Sequence, residues 1–351
     1  MSNALTSDLI VSTGPHIRTL GTLPRVMWLV SLTLLPAIAW AGYVFGTYVL
    51  IVTAISVLAA VLTEYIITWA LKRPPTIADG SAFLTGLLVA CNMPATANGV
   101  LPLYVPIVAS VFAIAVAKYA FGGLGYNWIN PALAGRIFVF FAWLPAMTSG
   151  WAAPAGADTL SSATPLNILK FEAGVLPEAV QQGGDAVLQL SMMPSYGDLF
   201  IGFVPGCIGE VSALALLIGG IILIALRIVN WEIPVAYVAT SALLAWIFGG
   251  LAVHGQSPSL FSGDPLFHVL SGGIMLGAFY MATDWVTTPM TFKGRILFGI
   301  GCGVLTILIR LTGNNVEGVS FSIVLMNIAV PLIDRLFRQR RFGTPEERRA
   351  A

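Results

Sequence analysis

Long apolar runs are the feature that most constrains the fold of this 351-residue chain. A transmembrane helix needs about 20 consecutive apolar residues, and the sequence contains about ten apolar runs, most of them close to that length. Only 9% of the residues are charged, whereas soluble domains carry about a quarter. The chain is therefore predicted to be an all-α integral membrane protein with about ten transmembrane helices. The predicted runs are 26–45, 48–71, 81–93, 101–120, 127–145, 203–226, 233–250, 266–283, 294–311 and 319–337.

The third run, 81–93, is too short to cross a bilayer. About thirteen residues at 1.5 Å each span roughly 20 Å, whereas the hydrocarbon core is about 30 Å thick. The run follows Asp79-Gly80 and stops at Asn92-Met93-Pro94, which predicts a broken helix. Because irregular backbone at membrane depth is tolerated only inside protein or beside a cavity, this stretch is a candidate site.

The two halves of the chain share a weak pattern. Asp79-Gly80-Ser81 in the first half is matched by Ser271-Gly272-Gly273, and Asn130-Pro131 is matched by the element from Asn327 to Pro331. Halves with five spans each must be inverted in the membrane, and inverted repeats with interrupted helices are typical of transporters. The pattern predicts two inverted five-helix repeats, although the matched small residues could also be ordinary helix-packing glycines.

Basic residues predict the orientation. With the N-terminus inside and ten crossings, the outer side receives only Lys170 and Arg310, and the inner side receives the other Lys and Arg residues. The positive-inside rule then places both termini in the cytoplasm and the long polar loop outside. The predicted units are an N-terminal membrane repeat (1–145), an extracytoplasmic loop (146–198), a C-terminal membrane repeat (199–337) and a cytoplasmic tail (338–351).

The loop contains the most informative motif of the chain. Residues 158–165 read Asp-Thr-Leu-Ser-Ser-Ala-Thr-Pro. Because a proline disfavours helical geometry in the residue before it, Thr164 is expected on extended backbone that presents its hydroxyl outside any helix. The simpler alternative is an ordinary Ser/Thr-rich loop that caps the next helix.

Residues 158–164 resemble the flavinylation motif Asp-x-x-Ser/Thr-Gly-Ala-Thr, in which the last Thr carries FMN through a phosphoester bond. With the surrounding spans, the chain is similar to the D-type subunit of the Rnf ion-translocating electron-transport complex. The B-type subunit of the sodium-pumping NADH:quinone oxidoreductase is a relative of that protein. Ser162 stands where Gly is more usual. The short N-terminal segment favours the Rnf type.

This resemblance implies covalent FMN on Thr164 and a flavin transferase that recognises the motif. It implies a bacterial inner-membrane redox subunit, not catalytic alone, that relays electrons between ferredoxin and NAD with coupled Na⁺ or H⁺ movement. The implied partners are a second covalent-FMN subunit and iron–sulfur subunits, and a second, non-covalent flavin is a further expectation. The net charge of +1 does not favour nucleic acid. The motif residues besides Thr164 are Asp158, Ser161, Ser162 and Ala163.

Three acids within or beside predicted spans are candidates for an ion path, namely Glu64, Glu210 and Asp284. Ionisable residues at membrane depth are expensive and indicate function by default. A structural ion pair or a helix-end role is an equal alternative for each, and Glu64 could pair with Lys72 or Arg73. Glu210 is expected about two turns into the sixth span.

Other polar and aromatic residues give weaker signals. The cysteines lack CxxC spacing and are interpreted as packing residues, and no metal-ligand spacing is evident. The histidines of the second half are interpreted as loop or interface residues, the asparagines of the broken helices as backbone caps or pocket residues, and the tryptophans flanking the loop as flavin-packing or interfacial residues. The residues are Cys91, Cys207, Cys302, His254, His268, Asn92, Asn130, Asn327, Trp143 and Trp151.

A small-solute channel or transporter is the alternative function. Paired short helices bounded by Gly and Pro suit a urea-channel-like architecture, which the Rnf-type subunits are expected to share. That alternative leaves the motif of residues 158–164 unexplained. Covalent flavin fluorescence after denaturation distinguishes the two functions.

Overall fold

The computed structural model describes residues 22–74, 76–96, 100–154, 164–169, 194–249, 260–313 and 317–337. Within these ranges the chain is helical, and its only β-type pairings are two isolated bridges, Pro94 with Cys207 and Thr96 with Trp151. Asp158, the motif residues 161–163 and His254 lie outside the described residues.

The helices are numbered in chain order. Those of the first half are α1 (Leu23–Phe45), α2 (Tyr48–Ala70), α3 (Ser81–Cys91), α4 (Tyr104–Phe112, continued by a π-helix over Ala113–Tyr119), α5 (Pro131–Ala142) and α6 (Leu144–Thr148). Those that follow are α7 (Pro165–Asn167), α8 (Tyr196–Ile201), α9 (Ala213–Ala225), α10 (Glu232–Phe248), α11 (Pro265–Leu270), α12 (Ile274–Leu276, continued by a π-helix over Gly277–Met281), α13 (Phe292–Thr312) and α14 (Val319–Leu336).

Four helices of the described ranges, α1, α2, α13 and α14, are long and apolar enough to cross a membrane. Five more apolar helices are shorter: α3, α4 with its π-helical extension, α5, α9 and α10. These observations agree with the predicted all-α membrane protein.

The short third helix is confirmed. It begins at Ser81, after Gly80 in the left-handed region with φ 76°, and its first N–H is accepted by Asp79 Oδ1 at 2.7 Å. It ends at Cys91, where Asn92 donates its side-chain amide to the carbonyl of Leu88 at 2.6 Å. Two side chains therefore satisfy the backbone at the ends of this broken helix.

Two predicted spans are not continuous helices. The run 266–283 is interrupted at residues 271–273, where Gly272 has φ 68°. The run predicted to begin at 203 becomes helical only at Ala213, because Gly202 has φ 109° and Pro205 and Gly206 follow it. Glu210 therefore lies on irregular backbone, and its predicted place two turns into a helix was wrong.

The irregular segment before α9 is tied to the end of α3. The N–H groups of Ile208 and Gly209 donate to the carbonyls of Met93 and Cys91 at 2.9 and 2.8 Å. A Cβ on Gly209 would lie 2.4 Å from Cys91 Cβ. Only glycine allows this approach, so the broken segments of the two halves meet in the interior.

Candidate functional site

Thr164 precedes the short helix α7 on extended backbone. Its φ and ψ are −69° and 152°, which confirms the conformation expected before Pro165. The hydroxyl oxygen accepts the N–H of Asn167 at 3.3 Å, so Thr164 also caps α7, as the simpler interpretation predicted. The side chain is half-buried; an oxygen bonded to phosphorus would remain an acceptor for that N–H.

A pocket, here called the Thr164 pocket, lies between α5 and the start of α14. Its free volume is about 60 Å³. This space accommodates a phosphoryl group, whereas a drug-sized ligand needs roughly 300 Å³ or more. The lining of the pocket includes Arg136, Phe140, Trp151, Glu317 and Phe321.

Beneath Thr164 lies a group of charges, the central charge cluster, which consists of the buried Arg136 and Glu210 and the half-buried Glu317. Arg136 is 7% exposed, and its Nη2 donates to Glu317 Oε2 at 2.5 Å. Its Nη1 lies 3.6 Å from Glu210 Oε1. The cluster joins α5 to the segments before α9 and α14, so it links the two halves of the chain.

Polar neighbours complete the surroundings of Arg136. Its Nη1 donates to Asn92 Oδ1 at 2.9 Å and to Ser320 Oγ at 2.7 Å. The Cys207 thiol lies 3.7 Å from Nη2. The end of the broken helix α3 is thereby bonded directly to the charge beneath Thr164.

Arg310 supports the second chain break. Its guanidinium is buried in α13 and donates to the carbonyls of His268 and Ser271 at 2.6 and 3.1 Å. These are carbonyls that the end of α11 leaves without a helical partner. Arg310, predicted on the outer side of the membrane, is buried at 4% exposure. His268, interpreted as a loop or interface residue, is likewise buried at 4% exposure.

Glu64 forms a second buried ion pair. Lys118 Nζ lies 2.7 Å from Glu64 Oε2, and the two side chains are 2% and 0% exposed. The hydroxyl of Thr76 also donates to the Glu64 carboxylate. The predicted alternative of a structural ion pair holds, but the partner is Lys118 and not the exposed Lys72 or Arg73.

A larger cavity, the Lys118 cavity, lies beside this ion pair. Its free volume is about 290 Å³, its walls are mainly apolar, and its polar lining includes Lys118, Asn127, Asn130 and Asp284. Asp284 accepts the hydroxyl of Thr287 at 3.2 Å. Asp284 is therefore a cavity-lining residue, separate from the cluster that contains Glu210.

The asparagines behave as interpreted. Asn130 caps α5 by accepting the N–H groups of Ala132 and Leu133, and donates to the carbonyl of Met281 at 3.2 Å. When the side-chain amide of Asn327 is oriented so that its oxygen faces the Asn130 N–H, that oxygen accepts the N–H at 3.1 Å. The Asn/Pro elements of the two halves thus meet at the end of the second broken helix.

The tryptophans flanking the loop differ. Trp151 lines the Thr164 pocket, whereas Trp143 packs edge-on against Tyr104 with ring centroids 5.5 Å apart. The three cysteines are free and buried, in agreement with their interpretation as packing residues. Sequence reasoning did not single out Glu317, and it treated Arg136 and Lys118 only as orientation markers.

The described helices, several of them short or interrupted and joined by buried charges, define a multi-pass helical membrane protein with a polar interior. The NQR2, RnfD, RnfE family matches residues 10–343. The chain therefore belongs to this family.

Relatives cover nearly the whole chain. The D-type subunit of the Na⁺-translocating ferredoxin:NAD⁺ oxidoreductase complex of Acetobacterium woodii is 46% identical over 98% of both chains. The D-type subunit of the proton-translocating ferredoxin:NAD⁺ oxidoreductase complex of Clostridium ljungdahlii is 43% identical over 95% of this chain and 96% of its own. The B-type subunit of the Na⁺-translocating NADH-quinone reductase of Chromohalobacter salexigens is 36% identical over 90% of this chain and 72% of its own.

Proposed function

We propose that this chain is the D-type membrane subunit of an ion-translocating ferredoxin:NAD⁺ oxidoreductase complex and carries electrons through FMN esterified to Thr164. The two D-type relatives match nearly the full chain. The observation that carries the cofactor assignment is the placement of Thr164 on extended backbone at a pocket that holds a buried arginine and aromatic side chains.

The residues of the Thr164 pocket fit a flavin phosphoester. Arg136 lines the pocket and would place a cation, paired with Glu317, close to a phosphodiester at Thr164. Phe140, Phe321 and Trp151 also line the pocket and offer aromatic surface for a planar ring. When bound, the flavin supplies the one-electron chemistry, and the protein supplies position and electrostatics.

The Lys118 cavity is the proposed site of the second, non-covalent flavin. Its volume of about 290 Å³ is close to the lower end of the range for small-molecule pockets. Apolar walls suit a tricyclic ring, and the side-chain amides of Asn127 and Asn130 can bond its heteroatoms. Acid extraction of the purified protein, followed by mass analysis, would release this flavin and leave the ester-bound FMN on the chain.

The remaining features of the proposal concern assembly and orientation. The chain would cross a bacterial inner membrane about ten times as two inverted repeats, with both termini cytoplasmic and the Thr164 loop periplasmic. It would act beside a second covalent-FMN subunit and iron–sulfur subunits, in contact with lipid, and would couple electron flow to Na⁺ or H⁺ movement. The relatives named above are oxidoreductase subunits, which favours this function over a small-solute channel.

Intact-protein mass tests the flavin assignment. The chain is co-expressed with a flavin transferase as wild type, Thr164→Ala and Thr148→Ala. Thr148 is the matched control because its hydroxyl donates only to the helix carbonyl of Leu144. We expect a gain of one FMN minus water in wild type and Thr148→Ala and none in Thr164→Ala. An unmodified wild type with an active transferase would refute the assignment.

A further inference from the structure

Glu210 is a buried carboxylate whose oxygens make no hydrogen bond of ordinary geometry to the described residues. It is 6% exposed; neither oxygen has such a partner there, and the side chains that interact with it most directly besides Arg136 are the thiol of Cys207 and the carboxyl group of Glu317. An ionised carboxylate in the interior needs donors as well as a counter-charge, because its desolvation costs several kcal/mol. A carboxylate in this position is stabilised when it gains a proton, a hydrogen-bond donor or a cation.

Arg136 does not fill this role. Its Nη1 is 3.6 Å from Glu210 Oε1, which is too long for a hydrogen bond. The hydrogens of Nη1 are directed at Asn92 and Ser320, and Nη2 donates to Glu317. The Arg136 guanidinium therefore pairs mainly with Glu317, and its contact with Glu210 is weaker.

A second carboxylate faces Glu210. Oxygens of Glu210 and Glu317 and the thiol of Cys207 all lie within 4.8 Å of one another. Two carboxylates this close resist ionising together. Because Glu317 has the hydrogen-bonded guanidinium, Glu210 is the member of the pair that carries a proton more easily.

The other groups around Glu210 favour a proton over a metal ion. Among the described residues, Arg136, Glu317 and Cys207 are the nearest charged or titratable groups. The thiol of Cys91 and the guanidinium of Arg310 also interact electrostatically with the Glu210 carboxylate. The guanidinium groups of Arg136 and Arg310 would both repel a divalent metal ion at Glu210. A proton adds the least positive charge and volume.

We propose that Glu210 is a proton-binding site in the interior of this protein. Its carboxylate takes up one proton to become a carboxylic acid, whose hydroxyl donates to Glu317, while Glu317 stays ionised against Arg136. A cavity of about 20 Å³, lined by Glu210, Glu317 and Thr164, has room for about one water and gives the proton a path toward the Thr164 pocket.

The role of this proton in ion coupling rests on the proposed function. Negative charge added at Thr164 lies beside Glu317, because both residues line the same pocket. A proton held by Glu210 offsets that charge. The site thus places one exchangeable positive charge directly below the residue proposed to carry the redox group.

Infrared spectroscopy of the purified full chain at neutral pH tests the proton site. The wild-type-minus-Glu210→Gln difference spectrum should contain a carboxylic acid C=O band that shifts in D₂O. Glu232→Gln is the matched control, because Glu232 is a buried glutamate whose Oε1 accepts from Arg295 at 3.0 Å, and its difference spectrum should contain carboxylate bands instead. Carboxylate bands for Glu210 would overturn the proposal.

Two further variants keep the test decisive. If Glu210→Gln does not fold, Glu210→Asp keeps a carboxyl group and should shift the acid band; an unshifted band would overturn the proposal. Thr164→Ala separates the two proposals, because the acid band should persist in it whether or not the wild type carries FMN. If the wild type carries FMN but lacks the carboxylic acid band, the proton site is refuted and the flavin assignment stands. If the wild type shows the band but gains no FMN with an active transferase, the flavin assignment is refuted and the proton site stands.

Discussion

The buried ion pair of Lys118 and Glu64 allows a quantitative prediction. At 2.7 Å, their attraction is about 6 kcal/mol for an effective dielectric constant of about 20. Glu64 also accepts from Thr76 and from Tyr119, the latter at 3.1 Å. Lys118→Met removes the cation and leaves the carboxylate at 0% exposure. We expect a loss of about 3–5 kcal/mol in the free energy of unfolding, because an uncompensated buried charge remains.

The assay is denaturant unfolding in detergent micelles with a double-variant cycle. Glu64→Gln with Lys118→Met removes both charges but keeps an acceptor for the hydroxyls of Thr76 and Tyr119, so the double variant should be more stable than Lys118→Met alone. Arg295→Met is the control, because its side chain is 19% exposed in its pair with Glu232, and it should cost less. A loss below about 1 kcal/mol for Lys118→Met would refute the reasoning.

Three further predictions follow from local geometry. Gly209→Ala should destabilise the protein by about 1–3 kcal/mol, since its Cβ would lie 2.4 Å from Cys91 Cβ, whereas Gly206→Ala meets nothing within 4 Å and should be close to neutral in thermal unfolding. Asn130→Ala should lose about 1–2 kcal/mol by removing the cap of α5, and Asn130→Ser should recover part of this in the same assay; equal losses would contradict the capping role. The hydrogen bond from Tyr196 to the Asp264 carboxylate favours the neutral phenol and raises the pKa of Tyr196. The wild-type-minus-Tyr196→Phe absorbance difference follows the ionisation of the Tyr196 phenol. When the same difference is measured in an Asp264→Asn background, the phenolate should form at lower pH. The same titration in both backgrounds would refute this effect of Asp264.

Local sequence rules predicted the features that depend on neighbouring residues. The steric effect of Pro165 set the extended backbone of Thr164. Length and flanking residues predicted that the helix from Ser81 is too short to span a bilayer. The capping roles of Asn92 and Asn130 followed from their places at the ends of broken helices.

The charge cluster could not be predicted in this way. Arg136 and Glu317 are 181 positions apart, and no spacing rule relates an arginine in one span to an acid between two later spans. Lys118 lies in the π-helical extension of α4, which changes the direction of side chains relative to an α-helix. The sequence therefore suggested Lys72 and Arg73 for Glu64, whereas the fold supplied a more distant cation.

Glu210 shows a different limit. Its apolar surroundings resembled the start of a span, but the glycines and the proline that precede it allow the chain to pack irregularly against α3. An apolar run indicates burial but does not indicate helical geometry at each residue. Glu210 is buried as the apolar run predicted, but its backbone is not helical.

The fluorescence of the attached flavin tests the central claim most directly, which is that Thr164 holds a flavin over the pocket above Arg136. Trp151 lines that pocket, whereas Trp143 packs against Tyr104. Indole side chains in contact with a flavin quench its emission by electron transfer. In the folded, flavinylated protein, Trp151→Phe should increase flavin emission and Trp143→Phe should leave it unchanged. Equal emission from the wild type and both variants would contradict the placement of the flavin in this pocket.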